Sequence, residues 1–319
     1  MRYGVSMGVG CSRAAANRCL RQKLMLVSFM MVMAALGACR GTVTPTVTPT
    51  PPGGGGEIAF ASDRDGPLHI YVMMVDGSQV RRLTNLAADY WAPSWSSDGE
   101  HLFFRTQFPG TFHICTARAD GTDMARLTDQ RFGGYGAALS PDGQRIAFDD
   151  FRGLQQDIYV MNVDGTGIER LTDDPSYDCC ATWSPDGRQL AFVSDVEGYD
   201  TVCVMNDDGS EPRPLTDAEA NSRGPVWSPD GSHIAFASDR EGHFDIYVMA
   251  VDGTDLKRLT HDPARDHLPT WSPDGKRIAF VSERSGNPEI FVVDIHEGQV
   301  TRLTHHPARD LWPAWSPAS

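Results

Sequence analysis

Short apolar runs separated by polar turn residues repeat at a fixed interval along most of this chain. The triplet Ile58–Phe60 recurs every 44 residues, beginning at Leu102, Ile146, Leu190, Ile234 and Ile278. A second run starts at Ile70 and recurs with the same spacing. The runs are about six residues long and rich in β-branched and aromatic residues, which is typical of β-strands rather than helices. The pattern therefore predicts six equivalent units of strands between Glu57 and Ser319.

Turn residues divide each unit into four strands. Ser-Pro-Asp-Gly occurs unchanged at 140–143, 184–187, 228–231 and 272–275, and Asp-Gly marks a second turn in five units. Pro presets φ for a turn and Gly accepts positive φ, so both motifs indicate tight hairpins. Repeated units of this length with four antiparallel strands predict an all-β fold, a six-bladed β-propeller.

The two ends of the repeat region predict how the ring closes. The region begins at Glu57 with the second strand of a unit and ends at Trp315 with the first strand. We expect Pro313–Ser316 to complete the first blade, which would then consist of three strands from the beginning of the region and one from its end.

The N-terminal segment has the composition of a targeting sequence. Residues 1–38 contain five basic and no acidic side chains, and 24–37 form an apolar run that is short for a bilayer span. The run ends in Leu36-Gly37-Ala38-Cys39, which resembles a bacterial lipobox and implies lipidation of Cys39. An ordinary signal peptide with an incidental Cys is the alternative. Residues 39–56, rich in Thr, Pro and Gly, predict a spacer. We expect an exported protein of the bacterial cell envelope, lipid-anchored to the outer face of a membrane or periplasmic.

The charge of the chain bears on its partners. The formal net charge is −14, and 23 basic against 42 acidic residues follow position 38. Such a surface repels phosphate backbones, which argues against nucleic acid as a partner. It favours a basic protein or peptide, or a cation.

The repeat motif resembles a known family. Its consensus is Pro-x-Trp-Ser-Pro-Asp-Gly, Ile-Ala-Phe, Ser-Asp-Arg, Ile-Tyr-Val-Met and Arg-Leu-Thr, which is similar to the repeat of the TolB propeller, also called WD40-like. The resemblance covers residues 57–319 and implies an envelope protein that binds other proteins. The N-terminal α/β domain of TolB has no counterpart here, so a role in the Tol–Pal system is not carried over. No catalytic residues or cofactor can be assigned, and we expect a non-enzymatic scaffold.

The connections between units suggest where a partner binds. The loops that precede the Trp strands differ in every unit and are rich in acidic, His and aromatic residues, and variable loops on a rigid scaffold commonly carry binding sites. The predicted partner-binding residues are Tyr90, Trp91, Asp178, Asp266, His267, Asp310 and Trp312.

Other interpretations of these loops remain open at the sequence level. The Asp residues could be structural, pairing with Arg residues of their own blades, such as Asp310 with Arg64 and Asp266 with Arg284. Oxygen-rich loops also suit Ca²⁺. Some propellers with similar repeats are oligosaccharide lyases with a histidine-bound metal, so a carbohydrate-active or hydrolytic enzyme is the alternative function.

The repeated Trp residues and the cysteines have separate predicted roles. Trp95, Trp183, Trp227, Trp271 and Trp315 share one repeat position and are predicted to be core between blades. Cys115 and Cys203 are predicted to be buried free thiols. Cys179 and Cys180 are consecutive, and either a vicinal disulfide or two free thiols fits the sequence.

Overall fold

The computed structural model describes residues 56–86, 88–108, 111–128, 136–151 and 155–317. The predicted leader 1–38, Cys39 with its predicted lipidation, and the predicted spacer 39–56, apart from Gly56, lie outside the described residues. Twenty-four strands form six separate antiparallel sheets of four strands each. The prediction of a six-bladed β-propeller is therefore confirmed.

The first three blades contain strands β1 to β11 and the last strand, β24. Blade 1 is formed by β24 (Asp310–Trp315), β1 (Glu57–Ser62), β2 (His69–Met74) and β3 (Arg81–Arg82). Blade 2 is formed by β4 (Asp89–Trp95), β5 (His101–Phe108), β6 (Thr111–Arg118) and β7 (Ala125–Arg126). Blade 3 is formed by β8 (Ala137–Leu139), β9 (Arg145–Phe151), β10 (Gln156–Asn162) and β11 (Glu169–Arg170).

The remaining blades follow the same order of strands. Blade 4 is formed by β12 (Asp178–Trp183), β13 (Gln189–Val196), β14 (Tyr199–Asn206) and β15 (Arg213–Pro214). Blade 5 is formed by β16 (Ser222–Trp227), β17 (His233–Ser238), β18 (Asp245–Ala250) and β19 (Lys257–Arg258). Blade 6 is formed by β20 (Asp266–Trp271), β21 (Arg277–Ser282), β22 (Glu289–Asp294) and β23 (Val300–Arg302).

The ring closes through the C-terminal strand, as predicted. Strand β24 pairs antiparallel with β1, with Ile58 opposite Trp315. At the end of this pairing the Ser316 amide donates to the carbonyl of Glu57 at 2.9 Å, and the Glu57 amide donates to the Ser316 hydroxyl at 3.1 Å. The first strand of every blade also contacts the first strands of both neighbouring blades, so these six strands line the centre of the ring.

The repeated Trp residues join neighbouring blades. Their side chains are buried or packed against the apolar clusters between blades, and four of the five indole N–H groups donate to a backbone carbonyl of the preceding first strand. These bonds join Trp95 to Ala314 (3.1 Å), Trp183 to Ala138 (3.0 Å), Trp227 to Thr182 (3.2 Å) and Trp271 to Val226 (3.2 Å). The prediction that these Trp residues are core between blades is confirmed.

The Asp-Gly hairpins dock against the preceding blade. Gly165 has φ +84°, and a Cβ built there would lie 2.4 Å from the carbonyl oxygen of Leu127. Gly143, in a Ser-Pro-Asp-Gly turn, also has positive φ, but a Cβ there would meet nothing within 4 Å. The Asp-Gly hairpins therefore require Gly for both backbone conformation and space.

We expect Gly165→Ala to destabilise the fold much more than Gly143→Ala. Both substitutions incur the cost of a left-handed backbone, about 1–2 kcal/mol, but Gly165→Ala adds a clash worth about 1–3 kcal/mol. Thermal unfolding of the two variants measures the difference. Equal melting temperatures would contradict close docking of this hairpin on blade 2.

Candidate functional site

The variable face of the ring is the face at which the first strand of each blade begins. Most first strands carry a β-bulge here, where the register with the second strand shifts. One residue of each bulge has positive φ: Ala92, Cys180, Gly224, Leu268 and Trp312. A bulge redirects side chains locally, so the residues at this rim do not follow the simple alternation of a strand.

Two of the predicted binding carboxylates form buried ion pairs within the fold. The Arg64 guanidinium lies 2.9 Å from Asp310, and that of Arg284 lies 2.7 Å from Asp266. Both Asp residues are fully buried. Burial raises the pKa of each carboxyl, and the Arg partner together with nearby Ser and Thr hydroxyls opposes that shift. The ion pairs foreseen by the structural interpretation are therefore present.

Asp178 occupies the same repeat position in blade 4 but has no such Arg. The residue equivalent to Arg64 and Arg284 is Val196. Asp178 is fully buried, and burial raises the pKa of its carboxyl to about 6. The hydroxyls of Ser194 and Thr172 lie near enough to lower that pKa, although neither forms a hydrogen bond of good geometry with the carboxylate. Asp178 is thus a buried acid without a cationic partner among the described residues.

The predicted aromatic contacts pack in the apolar cluster between blades 1 and 2. Tyr90 is fully buried and packs edge-to-face on Phe104. Trp91 is 7% exposed and lies against the guanidinium of Arg105, 5.0 Å from its ring centre. Trp312 is partly buried and packs against the same cluster. The binding role of these residues remains a prediction, and their side chains offer little surface to a partner in this conformation.

His267 is neutral over the physiological range. Burial, followed by the neighbouring Arg265 charge, lowers the pKa of its imidazole to about 3. Part of the residue remains accessible to solvent. It can therefore offer a hydrogen bond at this face but no positive charge.

Blade 4 presents several exposed acidic and aromatic residues at this face. We call the exposed residues Asp173, Asp174, Tyr177, Glu197 and Tyr199 the blade-4 patch. The side chains of Tyr177 and Tyr199 are 39% and 40% exposed. The segment before β12 contacts the end of β13, since the amide of Asp195 donates to the carbonyl of Tyr177 at 3.1 Å.

Tyr199, Glu197, Asp173 and Asp174 are not among the binding residues predicted from the sequence. A signal was available, because the connection that contains Glu197 and Tyr199 has Val196 where four other blades have Arg. This loop therefore carries acidic charge without the basic residue that accompanies it elsewhere.

The structure also locates the predicted buried thiols. Cys115 and Cys203 are buried and free, as predicted, and burial raises their thiol pKa values to about 11 and about 12.

Within the described ranges one trio of possible metal ligands comes together, Asp98, Glu100 and His101. Asp98 already accepts the Glu100 amide at 2.9 Å in a hairpin turn, so we assign it a structural role. No helix of the described segments has the length and apolar character to span a bilayer.

The fold and its two unlike faces define the class of protein, a six-bladed β-propeller with one uniform and one variable face. Residues 132–223 and 214–319 match the family model of the TolB beta propeller domain. These segments cover more than half of the chain, and the chain belongs to this family. A search of curated proteins finds no significant match.

Solved structures show the same fold at low identity. TolB from Acinetobacter baumannii matches with a TM-score of 0.72 and 19% identity, over 82% of this chain and 67% of that one. A putative TolB from Agrobacterium tumefaciens matches with a TM-score of 0.65 and 23% identity, over 83% and 92%. An oligogalacturonate lyase in complex with manganese matches with a TM-score of 0.58 and 16% identity, over 79% and 75%.

Proposed function

We propose that this protein is a non-enzymatic interaction scaffold of the cell envelope, whose variable face binds a basic segment of another protein. The blade-4 patch carries the proposal. It combines two exposed Tyr side chains with acidic residues in loops that lack the Arg found in equivalent loops. Tyr is favoured at interface hot spots, and uncompensated acidic charge selects a basic partner and speeds its association.

In this proposal, several of the binding residues predicted from the sequence are structural. Asp266 and Asp310 hold the rim of the face through Arg284 and Arg64. Tyr90 and Trp91 pack in the rim between blades 1 and 2. These residues stabilise the variable face in blades 1, 2 and 6. The oligosaccharide-lyase alternative receives no comparable support from the described residues, since their one trio of metal-ligand candidates contains a single His.

We expect Tyr177→Ala combined with Tyr199→Ala to weaken capture of the partner from envelope extracts by at least tenfold, because each change removes an exposed aromatic contact. Binding should also fall as salt is raised, since the attraction is electrostatic. Leu256→Ala, which changes another exposed apolar side chain (44% exposed) outside the patch, serves as the matched control. Equal capture by the double variant and the control would refute the patch as the docking site.

Attachment to the envelope is proposed from the leader and Cys39. The basic residues and the apolar run before Cys39 support export, and the lipobox-like sequence supports lipidation. We expect Cys39→Ser to release the protein from membranes and to abolish metabolic lipid labelling. Cys203→Ser, which changes a buried thiol, should leave both unchanged. Persistent membrane fractionation of Cys39→Ser would rule out the anchor.

A further inference from the structure

Blade 6 holds an arginine between two carboxylates at the variable face. The guanidinium of Arg284 lies 2.7 Å from Asp266 and 3.9 Å from Asp262. Its Nε also donates to the hydroxyl of Ser282 at 2.8 Å. The side chain of Asp266 is fully buried, whereas that of Arg284 is 20% exposed. The guanidinium therefore reaches the buried acid from the solvent side.

Blade 4 repeats the two carboxylates of this arrangement without the arginine. Asp174 and Asp178 stand two repeats before Asp262 and Asp266, and Val196 stands at the position of the arginine. Asp174 accepts the amide two residues ahead of it at 2.7 Å, as Asp262 does at 2.9 Å. Asp178 lies opposite a Ser of the second strand, as Asp266 does. We call Asp174 and Asp178 the blade-4 clamp.

The carboxylate of Asp178 has no partner of its own in this clamp. Its side chain is fully buried, and neither of its oxygens accepts a hydrogen bond of good geometry from the described residues. Because Asp178 has the same place in its blade as Asp266, its carboxylate faces the position that Arg284 fills in blade 6. Burial of a carboxylate is costly unless a cation pairs with it, so this position favours a cationic ligand.

The number and kind of ligand atoms favour a guanidinium over a metal ion. A hard cation such as Ca²⁺ takes about six to eight oxygen ligands. The described residues hold no third carboxylate, His or Cys that would complete a metal site with Asp174 and Asp178. A guanidinium instead binds carboxylates through a planar fork of N–H donors. Arg64 and Arg284 show that the equivalent positions of blades 1 and 6 accept this group.

Tyr199 lies at the entrance to the clamp. It pairs with Val196 across the hairpin of β13 and β14, and both side chains lie on the sheet face that carries Asp178. The ring of Tyr199 is 40% exposed, and exposed side chains change rotamer readily. It can therefore turn aside to admit a ligand and then stack on a guanidinium, as the ring of Phe291 does on Arg284 at 5.0 Å.

We propose that the blade-4 clamp binds the guanidinium of an arginine side chain supplied by the partner protein. This inference rests on the proposed function, because it specifies the basic group that the blade-4 patch recognises. The arginine of the partner takes the place that Arg64 and Arg284 occupy in blades 1 and 6.

Short peptides test the selectivity of the clamp. The probes are acetyl-Gly-Arg-Gly-amide and its analogues with lysine or with citrulline, which has nearly the shape of arginine but no charge. Ligand-observed NMR titration of the full-length protein at neutral pH measures their affinities. We expect the arginine peptide to bind about tenfold more tightly than either analogue, because only a guanidinium makes a forked, charge-assisted pair with a carboxylate.

Two variants of blade 4 test the position of the ligand. Val196→Arg supplies an arginine from the chain itself, and Asp178→Asn removes the buried charge. Each should weaken binding of the arginine peptide about tenfold. Leu256→Arg adds the same positive charge at an exposed position outside the patch and should leave the affinity unchanged. Melting temperatures establish that each variant is folded.

The outcomes separate this inference from the proposed function. Equal affinities for the arginine and citrulline peptides would refute the clamp, as would unchanged affinity in both Val196→Arg and Asp178→Asn. If Tyr177→Ala with Tyr199→Ala weakens capture of the partner while Val196→Arg and Asp178→Asn capture it normally, the clamp is refuted and the scaffold function stands.

Discussion

Deletion of residues 311–319 should abolish cooperative unfolding of the propeller. The deletion removes most of β24, which supplies the first strand of blade 1 and pairs with β1. It leaves the edge of β1 unpaired and removes Trp315 from the apolar cluster that contains Ile58 and Phe60. Loss of a buried Trp side chain alone costs about 3–5 kcal/mol, and an open sheet edge promotes association between molecules.

Thermal unfolding followed by circular dichroism measures this effect. Trp315→Ala should reproduce part of the loss without removing the strand, while Leu256→Ala, at an exposed position, should leave the melting temperature within about 2 °C of the parent. A truncated protein that unfolds as sharply and at the same temperature as the parent would eliminate closure by β24 as a source of stability.

The buried carboxyl of Asp178 should make the free energy of unfolding depend on pH. Its pKa in the folded protein is about 6, above the ordinary value of 3.8. The folded state therefore holds the proton more tightly than the unfolded state, and this group stabilises the fold at low pH. That contribution is lost as pH rises from about 4 through 6, and it amounts to about 3 kcal/mol.

We expect Asp178→Asn to remove this loss and to raise the free energy of unfolding at pH 7 relative to the parent. The quantity to measure is the difference between variant and parent at each pH, because other carboxyls, such as Asp230 with a pKa lowered to about 2, titrate in the opposite sense. The difference should be small at pH 4 and reach its maximum above pH 6.

A substitution in blade 4 should supply Asp178 with a cationic partner. Val196→Arg places a guanidinium at the position from which Arg64 and Arg284 neutralise their Asp partners. It should lower the pKa of Asp178 and flatten the pH dependence, whereas Val196→Leu should do neither. A parent and Asp178→Asn variant that differ equally at all pH values would show that Asp178 does not titrate in this range.

The repeat made much of the architecture readable from the sequence. Strand runs, Asp-Gly turns and Ser-Pro-Asp-Gly turns act over a few residues, and six copies in register leave little freedom for the blade count. The same register located the interblade Trp positions. It also paired Asp310 with Arg64 and Asp266 with Arg284, because equivalent positions in a repeat occupy equivalent places in space.

Other properties were decided only by the tertiary structure. The sequence predicts a variable loop at Tyr90 and Trp91, but both residues belong to β4 and are buried, because Phe104, Phe112 and Arg105 from neighbouring strands cover them. Exposure of a loop side chain depends on which strands pack beside it, and a local pattern does not contain that information.

The same holds for the chemistry of blade 4. Tyr177 is held beside the end of β13, because the Asp195 amide donates to its carbonyl. The positive φ of Cys180 belongs to a bulge against β13. The sequence determined the scaffold because its signals are local and repeated, while the tertiary structure determined which side chains are exposed at the variable face, because burial and bulges depend on contacts between segments distant in the chain.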